Sequence, residues 1–213
     1  LVTYLAFLIV IVFWGSFEQA GGLMNLYASQ KTDLSLGSFM VPASWFQSVN
    51  AIFILIFATA IGSFWIWWKK SGYEHSSLFK MAIGVIIMGF GFFFMSMAAN
   101  EVVYNESGEI TKKSAMYWLV LAYLFHTIGE LCASPVALSF ITKLAPARWG
   151  AFMMGAYFAA TGLGNKVAGL IGENASEVGD YETFVGITIF CTIFGLLVIL
   201  ILKPLKRLVH NAE

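Results

Sequence analysis

The stretch that decides the fold is residues 115–142, which read AMYWLVLAYLFHTIGELCASPVALSFIT. It is long enough to cross a membrane as a helix, because about 20 mostly apolar residues span the hydrocarbon core. Its one charged side chain is Glu130, near the middle. A charge at that depth costs about 3 kcal/mol on insertion scales, and such residues usually serve a function. The segment therefore predicts a transmembrane helix with a functional carboxyl group.

The composition of the whole chain points the same way. Hydrophobic residues make up 59% of the 213 residues, charged residues only 11%, and the mean hydropathy is +0.80. A soluble domain carries about 25% charged residues, so a soluble enzyme, a disordered chain and a disulfide-stapled module are excluded. The net charge is zero, so nucleic acid is not an expected partner. Cys132 and Cys191 lie in apolar stretches without metal-ligand spacing, so no metal site or disulfide is expected.

Six segments have the length and apolarity of a membrane span. They are residues 1–28, 42–68, 78–98, 115–142, 149–171 and 183–202. We therefore predict an all-α integral membrane protein with one domain over residues 1–213. This domain is a six-transmembrane-helix bundle in contact with membrane lipid.

Lysine and arginine residues give the expected orientation. Eight of them fall on one side of the predicted membrane, in connections 69–80 and 143–149 and in the tail after residue 202. The opposite side has three, which are Lys31, Lys112 and Lys113. Positively charged loops stay in the cytoplasm, so we expect both termini there. The expected location is the cell (inner) membrane.

The spans divide into two sets of three, and the first helix of each set carries a mid-membrane glutamate. These are Glu18 and Glu130. The arrangement resembles the 3+3 inverted repeat inside each half of a major-facilitator transporter. In a functional interpretation, the two carboxyl groups face a water-filled path and bind protons or substrate. In the alternative, each carboxyl group is neutral and stabilises the bundle through a hydrogen bond, because a low dielectric favours the uncharged form.

Helical spacing places polar side chains around each glutamate. Trp14, Glu18 and Gly22 recur every four residues, which predicts one face of an uninterrupted helix. In the second span, Asn50 is the better ligand candidate because it lies deeper than the other polar residues. The alternative for Asn50 is an interhelical hydrogen bond.

The fourth span has a second polar face, formed by His126, Glu130 and Ser134. A histidine one turn from a glutamate suits a proton relay, and it suits a static hydrogen bond as well. His126 and Ser134 are two turns apart, about 12 Å along the axis. That separation is too long for a Ser–His nucleophile pair, so an intramembrane enzyme is not expected.

The fifth span carries small residues every four positions, which predicts that another helix approaches it closely. They are Ala156, Ala160, Gly164, Ala168 and Gly172.

Several of these segments carry a resemblance to a known family. Residues 126–136 read HTIGELCASPV, and the pattern continues to Arg148. Residues 13–19, 44–50 and 154–165 match in the same order along the chain. Together they resemble the carboxyl-terminal half, helices seven to twelve, of the proton-dependent oligopeptide transporter (POT) family of the major facilitator superfamily.

The resemblance implies symport of di- and tripeptides with protons as the coupling ion and without a cofactor. It implies that Glu18 binds the proton and that Glu130 receives the peptide ammonium group. Asn50 would hydrogen-bond the peptide end, and Ser134 would lie near the same pocket. Trp14 would form a cavity wall, with Tyr157 nearby.

This sequence departs from the family pattern at three points. Ala51 stands where the family usually has a proline, and Tyr157 stands where many members have a tryptophan that contacts substrate. The family's amino-terminal six helices, with their Glu-x-x-Glu-Arg motif, have no counterpart here. That half is therefore an expected partner, and the chain is expected to be a fragment that does not transport alone.

Two alternatives for function remain open from the sequence. One is a major-facilitator transporter for another small substrate, such as nitrate or another metabolite. The other is a non-transporting membrane scaffold. In a scaffold, neutralising Glu130 would affect only folding.

Overall fold

The computed structural model describes residues 2–144 and 146–202, and these residues are mainly helical. The tail residues Lys203, Lys206 and Arg207 lie outside this part of the chain. Within it, the α-helices are α1 (Val2–Phe17), α2 (Leu23–Lys31), α3 (Trp45–Lys70), α4 (Ser77–Glu101), α5 (Tyr117–Lys143), α6 (Gly150–Val178) and α7 (Asp180–Leu200).

The first predicted span differs from the uninterrupted helix that the four-residue spacing indicated. The first α-helix ends at Phe17. A 3₁₀ segment, Glu18–Ala20, follows it, and the next α-helix begins at Leu23. Gly21 and Gly22 form the break, and both of their amides donate to the Glu18 carbonyl oxygen at 3.2 Å. Two consecutive glycines each cost about 1 kcal/mol relative to alanine in a helix, which explains why the helix is interrupted here.

Among residues 2–144 and 146–202, five stretches are long and apolar enough to cross a membrane. They are Val2–Lys31, which contains the break, Trp45–Lys70, Ser77–Glu101, Tyr117–Lys143 and Asp180–Leu200. The remaining long helix, α6, has 29 residues. It is rich in glycine and alanine and contains Asn165 and Lys166, so its composition is less apolar.

Short strands tie the helix ends together on one side of the bundle. Thr32–Asp33 pairs in parallel with Ser114–Ala115, which joins the end of α2 to the start of α5. Two small antiparallel pairs complete this end, Ser35–Leu36 with Phe39–Met40 and Val103–Tyr104 with Ile110–Lys112.

Helix α4 lies at the centre and packs most extensively on α5 and α7, while α1 packs on α6 and α3 on α5. The crossing of α4 and α5 is tight because both helices have glycine there. A Cβ at Gly84 would lie 2.7 Å from the Gly129 carbonyl oxygen, and a Cβ at Gly129 would lie 2.6 Å from the Gly84 carbonyl oxygen. This crossing is next to Glu130, so it fixes the depth of that carboxyl group.

Helix α3 is the least covered of the long helices. Of its 26 residues only Phe46 and Trp65 are buried, and Leu55 is 83% exposed. In a membrane protein such a face contacts lipid or another part of the assembly, because lipid tails are as apolar as leucine.

Candidate functional site

The Glu130 carboxylate is held by a side chain from a neighbouring helix. The Asn50 amide on α3 donates to Glu130 Oε2 at 2.9 Å and to the Thr127 hydroxyl at 3.2 Å. Thr127 in turn donates to the Tyr123 carbonyl oxygen at 2.8 Å, so its oxygen is oriented toward Asn50. The amide is therefore an oriented donor that fixes the Glu130 carboxylate across the α3–α5 interface.

Glu18 lies in the break of the first span and is partly exposed. The next residue, Gln19, anchors the break against α6, because its buried amide donates to the Gly15 and Ala168 carbonyl oxygens at 3.2 and 3.0 Å. Glu18 lines the same cavity as Asn50, the residue that bonds Glu130. The two acids of the helix triplets are therefore linked through Asn50.

A cavity of about 190 Å³ opens between these elements. Its polar lining is contributed by Glu18, Gln47, Asn50, Tyr123 and His126. The described residues that line it do not include Ser134, Trp14 or Tyr157. This polar cavity therefore contains three of the residues singled out from the sequence.

Trp14 and Tyr157 form a separate aromatic contact between α1 and α6. The indole Nε1 of Trp14 donates to the Tyr157 hydroxyl at 3.4 Å. A Cβ at Gly164 would lie 2.8 Å from Trp14 Cβ, which shows how closely the two helices approach. Gly164 of the predicted small-residue stripe is thus used for packing of α1 on α6, whereas a Cβ at Gly172 would meet nothing within 4 Å.

Ser134 and His126 occupy different environments on α5. Ser134 is half-buried one turn beyond Glu130. His126 is fully buried, and neither ring nitrogen has a hydrogen-bond partner among the described residues. The predicted hydrogen bond between His126 and Glu130 is therefore not formed in this conformation.

Two residues at the site were not singled out from the sequence, Tyr123 and Thr127. The Tyr123 hydroxyl donates to the Ala20 carbonyl oxygen at 3.0 Å, within the break. Both residues precede Glu130 at helical spacing, at i−7 and i−3. Extending the polar face backward from Glu130 by these intervals would have found them.

Comparisons with known proteins identify the family of this architecture. Residues 1–182 match the PTR2 domain of the POT family. The chain is 35% identical over 216 residues to the peptide transporter YePEPT of Yersinia enterocolitica, and the match covers 100% of the chain and 42% of that protein. It is 28% identical to a di-/tripeptide transporter of Lactococcus lactis subsp. cremoris, with 97% and 41% covered.

A solved structure agrees with these matches. The crystal structure of a peptide transporter POT in complex with sulfate has a TM-score of 0.85 and 27% identity, and the match covers 97% of this chain and 40% of that one. The chain therefore spans less than half the length of the relatives it matches. The resemblance seen in the sequence and the predicted multi-pass, major-facilitator fold are confirmed, and the chain belongs to the POT family.

Proposed function

We propose that this chain forms the carboxyl-terminal half of a symporter that carries di- and tripeptides with protons by alternating access. A second six-helix half supplies the opposite wall of the binding cavity. Transport, rather than catalysis, is the activity, and protons serve as the coupling ion without a bound cofactor. The observation that carries the proposal is the Asn50–Glu130 hydrogen bond beside a cavity that also contains Glu18.

The proposal gives the two carboxyl groups different tasks. Glu130 has an oriented amide on one oxygen, and its remaining acceptor capacity suits a peptide ammonium group. In this proposal Asn50 also hydrogen-bonds the peptide end, and Ser134, one turn from Glu130 on α5, lies near the same pocket. Trp14 and Tyr157 provide an aromatic wall.

Proton binding at Glu18 couples to this site through charge. Two nearby carboxylates disfavour each other's ionised form. A proton on Glu18 and an ammonium group on Glu130 each remove part of that repulsion. The repulsion between the two carboxyl groups is therefore smallest when the proton and the peptide are both bound. Binding of one thus favours binding of the other, which is the condition for symport.

The proposed orientation rests on the count of lysine and arginine residues, eight on one side and three on the other. It puts both termini in the cytoplasm of an inner membrane. Two of the three basic residues on the opposite side are in ion pairs, Lys31 with Asp180 at 2.6 Å and Lys112 with Glu101 at 3.0 Å. Acidic partners contribute little to orientation, so these pairs leave the count unchanged.

The test uses the full natural gene product in liposomes. An inward proton gradient should drive uptake of labelled dialanine, and unlabelled trialanine should compete while nitrate should not. The 213-residue chain alone is the control and should not transport. Competition by nitrate without competition by trialanine would indicate another substrate class, and no uptake at all would favour a scaffold.

A further inference from the structure

An apolar groove opens between α3 and α4, nearer the end of the bundle opposite the strands. The two helices follow each other in the chain, but each packs on α5, and their backbones approach each other at few points. The groove has a volume of about 320 Å³, within the usual range for ligand pockets of about 300–1,000 Å³. Its lining is aliphatic and aromatic apart from one thiol, and consists of Ile61, Phe64, Trp65, Trp68, Phe79, Ile83, Ile87, Ile128 and Cys132.

The length of the groove fits one extended hydrocarbon chain. It runs from Phe79 to Ile87 along α4, which is eight residues and about 12 Å of helix axis. One leaflet of a bilayer has about 15 Å of hydrocarbon, so the groove spans most of one leaflet. Phe64 is 40% exposed, and Ile83 and Ile128 are half-buried. An acyl chain can therefore enter the groove from the side.

Lysines lie at the end of the groove that reaches the membrane surface. Lys69 and Lys70 directly follow Trp68, and both are exposed. The Lys80 ammonium group lies 5.3 Å from the centre of the Trp65 ring, which lines the groove. Because tryptophan is enriched where the hydrocarbon meets the headgroups, these ammonium groups lie at headgroup depth.

The connection between the two helices carries a positive charge. Residues 69–80 contain three lysines and one acid, Glu74, which gives a net charge of +2 with neutral His75. The Glu74 carboxylate accepts a bond from the Ser76 amide at 3.0 Å, and the Glu74 carbonyl oxygen accepts one from the Trp68 indole at 2.7 Å. The connection is thus held against the end of α3. Basic pockets between membrane-spanning helices bind anionic lipid headgroups.

We propose that the groove between α3 and α4 binds one anionic phospholipid. One acyl chain lies along residues 79–87, and the phosphate lies among Lys69, Lys70 and Lys80. The bound lipid covers part of α3, the least covered of the long helices. This site goes beyond the proposed function and does not depend on it.

The groove and the peptide cavity use different faces of α5. Ile128 and Cys132 line the groove, whereas Glu130, two positions from each, is bonded by Asn50. Residues two positions apart do not share a face of a helix. The lipid therefore contacts the back of the helix that carries Glu130 and stays outside the peptide cavity.

The second six-helix half of the transporter is the other candidate to cover this groove. A covering transmembrane helix would run through both leaflets, whereas the groove ends near the middle of α3 at Ile61 and near the middle of α4 at Ile87. A covering protein would also have to compensate three lysines, which a lipid phosphate does directly. The length of the groove and its charge thus favour the lipid.

The main experiment measures phosphatidylglycerol bound to the delipidated full transporter by native mass spectrometry, with phosphatidylcholine as the neutral comparison. Lys69→Gln combined with Lys70→Gln should weaken phosphatidylglycerol binding by about 30-fold, because each lysine near a membrane surface contributes about fivefold. Phosphatidylcholine should bind wild type more weakly and should respond little to the double variant. Equal binding of the two lipids to wild type would overturn the inference.

The control for that pair is Lys112→Gln combined with Lys113→Gln. It removes the same charge at exposed positions of the opposite end of the bundle, so it should bind phosphatidylglycerol as wild type does. An equal loss in both double variants would show attraction to net charge alone and would reject the proposed site.

A second pair of variants tests the acyl-chain part of the site. Ile83→Trp fills the groove, whereas Ile189→Trp adds the same ring on α7 at a position that is 53% exposed and does not line the groove. Ile83→Trp should lose phosphatidylglycerol binding, and Ile189→Trp should retain it. Binding that is unchanged in Ile83→Trp would place the lipid elsewhere and contradict the inference.

Photochemical crosslinking provides a readout that needs no variant to fold. Phosphatidylglycerol with a diazirine in one acyl chain is added to the wild-type full transporter in phosphatidylcholine vesicles, and the crosslinked residues are mapped. Crosslinks should concentrate in residues 61–68 and 79–87 and should be reduced by unlabelled phosphatidylglycerol. Crosslinks spread evenly over the exposed helices would overturn the inference, and so would their absence from the groove, which would show that the second half covers it. Proton-driven uptake of dialanine is measured separately, so failure of the lipid site and failure of the proposed function are distinguishable.

Discussion

The two helix triplets present their glutamates in opposite ways. Glu130 lies in α5, which is continuous from Tyr117 to Lys143 although Pro135 is inside it. Glu18 lies in a 3₁₀ segment where the corresponding helix breaks. Glu130 accepts a hydrogen bond from Asn50, whereas no hydrogen bond to the Glu18 carboxyl group is found among residues 2–144 and 146–202.

The difference matches what each acid is proposed to do. A carboxylate held by an oriented donor on a continuous helix is preorganised for a ligand cation. A carboxyl group on an interrupted helix that lines a polar cavity, without a fixed donor among the described residues, suits the proposed coupling role better than a ligand role. The two acids thus differ in their local backbone, at Gly21 and Gly22 after Glu18 and in a continuous helix around Glu130.

The largest effect should come from Glu130→Gln. Removing one partner of a buried charge pair costs about 2–5 kcal/mol, so dipeptide affinity should fall by about 30-fold or more. Equilibrium binding of labelled dialanine to the purified full transporter measures this. Glu106→Gln, at an exposed loop position, is the control and should bind as wild type does. Unchanged affinity in Glu130→Gln would contradict the assignment of the ammonium group to this carboxylate.

Glu18→Gln should come next and should act on coupling. The amide cannot carry the proton, so uptake driven by a pH gradient should be lost, while exchange of labelled for unlabelled peptide continues. The ratio of the two rates in the same liposomes is the measurement. If gradient-driven uptake persisted, the coupling proton would have to bind at another residue. That result would contradict the assignment of different roles to Glu18 and Glu130.

Much of this site could be predicted from the sequence, because membrane burial makes charged residues rare and conspicuous. Glu18 and Glu130 stood out for that reason, and Asn50 followed from its depth in an apolar helix. The break at Glu18 was missed, since the four-residue spacing of Trp14, Glu18 and Gly22 looks like a continuous face. Gly22, one of the two glycines at the break, was treated as part of that face.

Contacts between segments that are distant in the chain also could not be predicted from the sequence. The four-residue spacing of His126 and Glu130 suggested that they pair. In the folded bundle Asn50, 80 positions from Glu130, takes that place, and tight packing against Gly91 fixes His126. Which of several polar partners an acid contacts depends on how helices cross, and a periodic pattern along one helix does not contain that information.

Stiffening the break tests the backbone part of the comparison. Gly21→Ala combined with Gly22→Ala adds methyl groups whose nearest neighbour, the Glu18 carbonyl oxygen, is 3.8 Å away, so there is room for both. Alanine favours helix over glycine by about 1 kcal/mol per residue, so the pair should shift the break toward helix by about 2 kcal/mol and reduce gradient-driven uptake by up to about 30-fold. Dipeptide affinity should change little, because Asn50 and Glu130 are untouched.

The control for that pair is Gly186→Ala, a helical position in α7 with open space around its Cβ. It gains the same helix propensity without affecting the break. Uptake and exchange should therefore both remain near wild type. If Gly186→Ala and the double variant behaved alike, the effect would be general stiffening, and the break would have no special part in coupling.

The smallest effect should come from Tyr157→Phe, which tests the aromatic wall that lies outside the Glu18 cavity. The bond from Trp14 Nε1 to the Tyr157 hydroxyl is long at 3.4 Å, and a hydrogen bond of ordinary length contributes about 0.5–1.5 kcal/mol. Dialanine uptake should therefore change less than about threefold. A double-mutant cycle with Trp14→Phe measures the coupling between the rings. A large coupling energy between Trp14 and Tyr157 would show that this long bond contributes more than its length indicates, and it would contradict the prediction.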